Sequence, residues 1–280
     1  MKLSKKKRQW LGNRTTNLNG NHLNPSVTVA NRYYHAIDRV LIYINSLIKD
    51  RFDPVKDIND IYQFRDALHN IITENIASST INYFSKKMAL EVNKNSNSTL
   101  NRSIKKLTGN DLGIGKVSEL DANTIIVLER SIEENTSLVS SIYENYRDKL
   151  TSDIDKFIIK NDGDFRTLVE NIHGSLKSRF KEHRNKAKNI ALDQTRKIYT
   201  DLNLTRMVDL GIKKFKWIHT GGGKTSRQLH IEYNNRVFDI DNPPIIDEKT
   251  QEKGFPSDAI NCRCVMAPVL EFENGVEKNV

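Results

Sequence analysis

The spacing of apolar residues constrains this chain more than any other feature. From Ser26 to about Gly211, apolar side chains recur at steps of three and four residues, for example between Ile37 and Ile48. That step matches the 3.6-residue turn of an α-helix, so each segment presents one apolar face. The sequence therefore predicts a series of long amphipathic helices over most of the chain.

Turn-forming residues divide this stretch into separate helices. Asp53-Pro54 and Asp162-Gly163 are typical of turns, and Gly211 stands where a glycine commonly ends a helix. Asp121 is placed to cap the helix that follows it.

Two further predictions concern the extent of the helices. The apolar stripe that begins at Ile58 predicts a second helix running to about Val92, and the polar run 93–98 predicts a break after it. Farther along, apolar stripes at 165–176 and at 187–202 predict two successive helices.

The pattern changes after Gly211. Residues 214–218 alternate polar and apolar side chains, and residues 264–269 form a short β-type run. The predicted fold class is α+β: a long, mainly helical N-terminal region followed by a small α+β C-terminal module. That module is expected to have short strands and a Cys-x-Cys hairpin carrying Cys262 and Cys264.

Positive charge is unevenly distributed along the chain. The formal net charge is +9; residues 165–216 hold thirteen Lys or Arg against five Asp or Glu, whereas residues 217–280 hold seven against ten. Residues 1–25 are polar and basic, and we predict a disordered arm there in which four residues are candidates for DNA contact: Lys5, Lys6, Lys7 and Arg8. A basic surface favours a polyanion such as DNA, but a solvated helix face would have the same composition.

From composition we expect neither an integral membrane protein nor a secretory signal. No stretch reaches the ~18 apolar residues that a membrane-spanning helix needs, and no apolar segment follows the basic N-terminus as in a secretory signal. Two cysteines in the whole chain are typical of a reducing compartment.

Four residues of the C-terminal module are candidate zinc ligands. Cys262 and Cys264 are separated by one residue, so that on a strand both thiols face the same side, and His219 and His230 would complete a Cys2His2 set. The spacing is tighter than in common zinc motifs, which have two to four intervening residues. Spacing alone therefore favours a metal-free hairpin in which the cysteines pack as small hydrophobic residues.

An enzymatic reading of the same region is a separate hypothesis. A metal-dependent DNA hydrolase would use His230 as a general base, Arg227 as an anion binder, and Asp239 or Asp241 to complete the site. A third hypothesis is a non-catalytic DNA-binding protein, whose affinity for DNA would fall steeply as the salt concentration rises.

The order of uncommon residues after Gly211 is the most specific signal in the chain. An aromatic-basic-Trp strand leads through a glycine-rich turn to an arginine, a histidine, a short strand and a Cys-x-Cys run; its residues are Trp217, Arg227, His230, Phe238, Asn261, Cys262, Arg263 and Cys264. In this order the chain resembles the bacteriophage Mu F-like head morphogenesis family, also called minor head or minor capsid proteins. The resemblance covers roughly residues 180–270.

This resemblance implies a non-enzymatic component of a tailed-phage or prophage virion. Such proteins lie inside the head near the portal after assembly in the host cytoplasm, and act in head morphogenesis and in DNA packaging or delivery. The implied partners are the portal or scaffold, the capsid interior, and packaged DNA through phosphate contacts. The expected segments are a basic arm (1–25), a helical region for portal or scaffold contact (26–178), a Mu F-like C-terminal domain (179–270) and a tail (271–280).

Overall fold

The computed structural model describes residues 16–109, 121–161, 163–221, 226–273 and 276–277. Its helices are α1 (Val27–Phe52), α2 (Ile58–Asn75), α3 (Ser78–Thr108), α4 (Ala122–Lys160), α5 (Phe165–Asp209) and α6 (Gln228–Glu232). Its strands are β1 (Thr16–Asn19), β2 (Lys214–Ile218), β3 (Val237–Asp239), β4 (Ile245–Asp247), β5 (Glu252–Lys253), β6 (Val265–Glu273) and β7 (Val276–Glu277). Long helices followed by a small module with short strands confirm the predicted α+β class. Within the described residues, no helix is both long enough and apolar enough to cross a membrane.

Three predicted helix boundaries are confirmed. α1 ends at Phe52, directly before Asp53-Pro54. At the start of α4, the Asp121 carboxylate accepts hydrogen bonds from the Thr124 backbone N–H (2.6 Å) and hydroxyl (2.8 Å), as an N-cap residue does. After α5, Gly211 adopts the left-handed conformation (φ 73°) that favours glycine at a helix C-terminus.

Three predictions of helix extent are wrong. The second predicted helix is two helices, because α2 ends where the Asn75 side-chain amide donates to the Ile71 carbonyl (2.8 Å) and so satisfies a helix-end acceptor. The run 93–98 lies inside α3. The two helices predicted within 165–202 are the single helix α5, whose residues 177–191 are rich in Lys, Arg and Ala, which favour helix continuation.

The run 93–98 stays helical because its polar side chains belong to a buried network. Arg206 of α5 donates to the Ser96 hydroxyl (2.6 Å) and to the Asn93 side-chain oxygen, and Ser96 donates in turn to Asn203 (3.1 Å). All four residues are buried. Burial lowers the pKa of Arg206 to about 10, so the guanidinium is still charged at neutral pH.

The C-terminal module is organised around a five-stranded antiparallel sheet. Its strand order is β1-β6-β2-β3, with β7 also paired to β6, while β4 and β5 form a separate two-stranded ribbon. β6 is therefore the central strand, flanked by β1 and β2. This central position explains its apolar residues, since Met266, Val269 and Leu270 are all buried.

The N-terminal segment differs from the expected disordered arm over residues 16–25. β1 pairs with β6 from Thr16↔Phe272 to Asn19↔Val269. The Leu23 N–H then donates to the Met266 carbonyl (2.8 Å), and Leu23 is buried. The prediction of disorder from polar composition fails for this segment because backbone hydrogen bonds to β6 hold it in a defined structure. The four candidate DNA contacts, Lys5, Lys6, Lys7 and Arg8, lie outside the described residues.

The chain divides into two compact units that differ from the predicted segments. Unit 1 comprises residues 1–29, 89–131 and 193–280, and it contains the sheet. Unit 2 comprises residues 30–88 and 132–192 and is helical. The boundary expected between 178 and 179 falls inside α5, because α5 is continuous and contributes residues to both units.

Candidate metal centre

Strand register brings Trp217, His219 and Cys264 to one face of unit 1. Trp217 of β2 is paired with Met266 of β6. Opposed residues in an antiparallel ladder project to the same face, and every second residue along a strand shares it. Continuing this alternation places His219, just after β2, opposite Cys264, just before β6.

His230 is oriented by the single-turn helix α6 and by a backbone carbonyl. The residue is 3% exposed, and its Nε2 atom lies 3.2 Å from the Ile246 carbonyl oxygen. A carbonyl can only accept, so the neutral imidazole carries its proton on Nε2 and leaves a lone pair on Nδ1. The ring also packs edge-on against Trp217, with centroids 5.0 Å apart. This is the arrangement of a metal-binding histidine, whose second nitrogen donates to a fixed acceptor.

The Nδ1 atom of His230 faces both cysteine sulfurs. It lies 3.4 Å from Cys262 Sγ and 3.7 Å from Cys264 Sγ. The three ligand atoms all lie within 4.8 Å of one another, and all three residues are buried. We call His230, Cys262 and Cys264 the Cys/His cluster. The cluster could hold a metal ion.

The separations in the Cys/His cluster match those around a tetrahedral ion. With zinc–sulfur and zinc–nitrogen bonds of about 2.3 and 2.0–2.1 Å, tetrahedral angles place nitrogen and sulfur ligands about 3.6 Å apart. The two nitrogen–sulfur distances in the cluster, 3.4 and 3.7 Å, fall on either side of that value. The donor set therefore fits a metal such as zinc in both chemistry and spacing.

His219 lies beside the Cys/His cluster rather than within it. Its Nδ1 atom is 3.5 Å from Cys264 Sγ, but the group whose ligand atoms are mutually within 4.8 Å contains only the other three residues. Its side chain is half-buried, and its backbone N–H donates to the Asn234 side-chain oxygen (2.9 Å). Of the four candidate ligands named from sequence, the structure brings three together and places the fourth next to Cys264.

The two thiols influence each other's ionisation. Hydrogen bonding with Cys264 lowers the pKa of the Cys262 thiol, and burial opposes this shift. The same hydrogen bond and burial raise the pKa of Cys264. The two protons therefore differ in how readily they are lost, and a metal ion would have to displace both of them, because thiolates are the ligand form of cysteine.

Hydrogen bonds to the backbone hold the cysteine segment in place. The Asn261 N–H donates to the Asp193 carboxylate of α5 (2.6 Å), and Asn261 adopts a left-handed conformation (φ 60°). The Ser257 hydroxyl donates to the Cys264 carbonyl (3.0 Å), and the Thr220 hydroxyl donates to the Arg263 carbonyl (2.7 Å). The segment is thus fixed before, between and after its two thiols.

A cavity of about 40 Å³ opens at the Cys/His cluster. That volume is of the order needed for an ion or one or two water molecules. Besides the cluster and His219, its lining includes the two exposed arginines of the motif, Arg227 and Arg263. Neither Asp239 nor Asp241 is among the described residues that line it, and Asp239 lies instead 3.9 Å from the Lys214 ammonium. Of the residues named in the hydrolase hypothesis, the lining of this cavity contains Arg227 and His230.

The remaining motif residues support the site from outside. The Phe238 ring packs against Trp217 and Phe215, with centroids 6.4 and 5.9 Å away. Arg227 donates to the Ile260 carbonyl (3.1 Å), which links the start of α6 to the loop before Cys262. The buried motif residues thus build the core around the cluster, while the exposed ones lie at its rim.

The indole nitrogen of Trp217 has no hydrogen-bond partner among the residues that the structure describes. The side chain is fully buried. Leaving a buried N–H without an acceptor costs on the order of 1–3 kcal/mol. Strand register places the indole on the same sheet face as Cys264.

Two supporting groups were missed in the sequence. Asp193 was not singled out, although its carboxylate holds Asn261, and burial raises its pKa. Asp193 lies in the predicted helix at 187–202, where a single aspartate carries no distinguishing sequence signal. The Ile246 carbonyl that orients His230 has no sequence signal, because any residue carries a backbone carbonyl.

The fold and the site together define an α+β protein with a buried Cys/His cluster able to hold a metal ion. The chain is similar to a protein of Haemophilus influenzae that is described as uncharacterized, with 28% identity over 145 residues. The match covers 52% of this chain but 30% of the relative, so the chain corresponds to less than a third of that protein's length. No protein-family model matches the chain. No solved structure matches it either.

Proposed function

We propose that this chain is a minor head protein of a tailed phage or prophage, acting in head morphogenesis near the portal. The observation that carries the proposal is the ordered run from Trp217 to Cys264, which resembles the Mu F-like family. Its support from the fold is that Trp217, His230, Cys262 and Cys264 pack together in one core. Because the most distinctive residues of the motif are buried together, we assign the motif a structural role in the folding of the C-terminal module.

We further propose that the metal held by the Cys/His cluster is zinc, with His219 as the fourth ligand. Two thiols and two imidazoles form a donor set typical of structural zinc. His219 already lies 3.5 Å from Cys264 Sγ, close to the separation expected within a tetrahedral site. When four protein ligands surround zinc, no position is left for a substrate, so the role that we assign to this site is to stabilise the fold.

The head-protein proposal is tested on purified particles of the phage or prophage that encodes the chain. Mass spectrometry should detect the chain in DNA-filled heads at a few copies per particle. Cryo-electron microscopy of particles with and without it should show the difference in density at the portal vertex. Absence of the chain from purified heads would contradict the proposal.

The zinc proposal is tested by elemental analysis of protein prepared without chelators. We expect about one zinc per chain in the wild type, and loss of bound zinc in Cys262→Ser and His230→Ala. His173→Ala is a matched control, because His173 lies outside the site and packs against Phe52 in unit 2. Less than half an equivalent of zinc in the wild type would contradict the zinc assignment without bearing on the head-protein proposal.

A further inference from the structure

The indole N–H of Trp217, which has no acceptor among the described residues, points to a second role for this residue. Trp217 is fully buried, and within the described chain its Nε1 atom has no acceptor. Buried tryptophan N–H groups usually have a hydrogen-bond partner. An orphan donor beside a candidate metal centre therefore calls for an acceptor that appears in another state of the site.

The Cys264 sulfur is the group placed to become that acceptor. Strand register sets Trp217 on the same sheet face as Cys264, two residues from it along the paired strand. A neutral thiol is a weak acceptor, whereas a thiolate accepts charge-assisted hydrogen bonds. Cysteine binds metal as the thiolate, so loading the site would convert a poor acceptor into a good one.

We propose that Trp217 is a positioning residue of the metal centre, whose indole N–H donates a hydrogen bond to the Cys264 sulfur in the zinc-loaded protein. This inference rests on the zinc site proposed above. The hydrogen bond stabilises the thiolate form of Cys264 and restrains the direction of its sulfur. His230 has an equivalent outer partner in the Ile246 carbonyl, so two ligands of the site are each held by a hydrogen bond from outside.

The sharpest test removes only the N–H. Benzothienylalanine at position 217 keeps the shape of the bicyclic ring but has sulfur where tryptophan has the N–H. Zinc affinity is measured by competition with a chelator in wild-type protein and in this analogue. We expect the analogue to bind zinc about 10-fold more weakly, as is typical when an outer partner of a ligand is removed.

A spectroscopic readout separates positioning from general packing. In ¹⁵N-tryptophan-labelled protein carrying Trp10→Phe, Trp217 supplies the one remaining indole N–H. Its proton resonance should move downfield when one equivalent of zinc is added to the reduced, metal-free protein, as expected for a new hydrogen bond to a thiolate.

Phe215→Leu is the matched control. Phe215 lies two residues earlier on β2, is equally buried and also contacts Phe238, but its paired residue on β6 is Pro268, four residues from Cys264. This variant should lower stability and leave zinc affinity unchanged. Full zinc binding with an unmoved indole proton, or equal affinity in the benzothienylalanine protein, would overturn the role of Trp217 alone. Failure of the wild type to bind zinc would overturn the site and this role together.

Discussion

Gly20 follows β1, and its backbone packs closely against Pro268 and Ser103. A Cβ atom at this position would lie 2.7 Å from Pro268 Cγ and would also contact the Ser103 hydroxyl. The Gly20 N–H donates to the Pro268 carbonyl (2.8 Å), which keeps the backbone from moving away. The absence of a side chain is therefore a packing requirement.

Gly20→Ala should lower the free energy of unfolding by about 1–3 kcal/mol, because the added methyl group overpacks this contact. Gly174→Ala is the control, since a Cβ at Gly174 in α5 meets nothing within 4 Å. The control should raise stability by about 0.5–1 kcal/mol through helix propensity. Urea unfolding checks both; equal effects of the two variants would contradict the packing argument.

At the residue scale, the sequence identified the candidate ligands better than their supports. His230, Cys262 and Cys264 were named because few residue types bind zinc, although their spacing favoured a metal-free hairpin, and the structure brings the three residues together. The orphan N–H of Trp217 and the Asp193–Asn261 hydrogen bond depend on which side chains meet in space. Local pattern does not contain that information.

At the scale of elements, α3 shows where composition misleads. Asn, Ser and Lys at 93–98 resemble a polar loop, but Asn93 and Ser96 are buried against Arg206, about 110 residues later in the chain. Apolar periodicity correctly predicted α1 and the helix after Asp121, whose stripes face an apolar core. It fails where a helix buries polar groups that are satisfied by another element.

Arg206→Leu should destabilise the protein by about 2–3 kcal/mol, because Asn93 and Ser96 would lose a charged hydrogen-bond donor while remaining buried. Arg130→Leu is the control. Arg130 is half-exposed and pairs with Asp201 at 3.2 Å, an ion pair that contributes about 1 kcal/mol or less. Urea unfolding of both variants measures the difference, and a cost for Arg206→Leu no larger than that of the control would contradict the network's importance.

A second element-scale feature is the ion-pair group between α4 and α5 in unit 2. Arg179 donates to both oxygens of Asp153 (2.7 and 3.0 Å) and to Glu182 (2.8 Å), and Lys149 also pairs with Glu182. The hydrogen bond from Arg179 lowers the pKa of Asp153. Hydrogen bonds from Lys149 and Arg179 lower the pKa of Glu182 to about 2.

Because both carboxyl pKa values are depressed by folding, this group should stabilise the protein above about pH 4.5 and lose its contribution as pH falls towards 2. The double variant Asp153→Asn/Glu182→Gln should be less stable at pH 7, by about 1 kcal/mol after screening by solvent. The difference in stability between this variant and the wild type should then decrease as the pH is lowered. Denaturation midpoints between pH 7 and pH 2.5 test this, with Glu170→Gln, in a more exposed pair on the same helix, as control. A stability difference that does not change with pH would contradict the proposed coupling between folding and the ionisation of Asp153 and Glu182.

At the scale of the whole molecule, the Cys/His cluster belongs to unit 1 alone. Its three residues and the supporting residue Asp193 all lie in residues 193–280. If zinc stabilises this unit by binding its folded form, removing zinc should destabilise unit 1 first.

Chelation under reducing conditions should therefore raise amide hydrogen exchange in β2, α6 and β6, and leave exchange largely unchanged in α1 and α2 of unit 2. Stabilisation by zinc at 100-fold excess over its dissociation constant is about 2.7 kcal/mol, enough to change exchange rates in β6 by roughly 100-fold. Exchange measured by mass spectrometry on wild type and Cys262→Ser checks this. Chelator-dependent exchange that persists in Cys262→Ser would indicate an effect unrelated to the site.

The pairing of β1 with β6 sets a constraint on the order in which the protein can be assembled. During synthesis, β1 leaves the ribosome about 250 residues before the strand that it pairs with. All residues of unit 2 have been synthesised before β6 is made, and throughout that time β1 lacks the strand that it pairs with. β1 is thus translated well before its partner strand, and until β6 emerges it must avoid pairing with other chains.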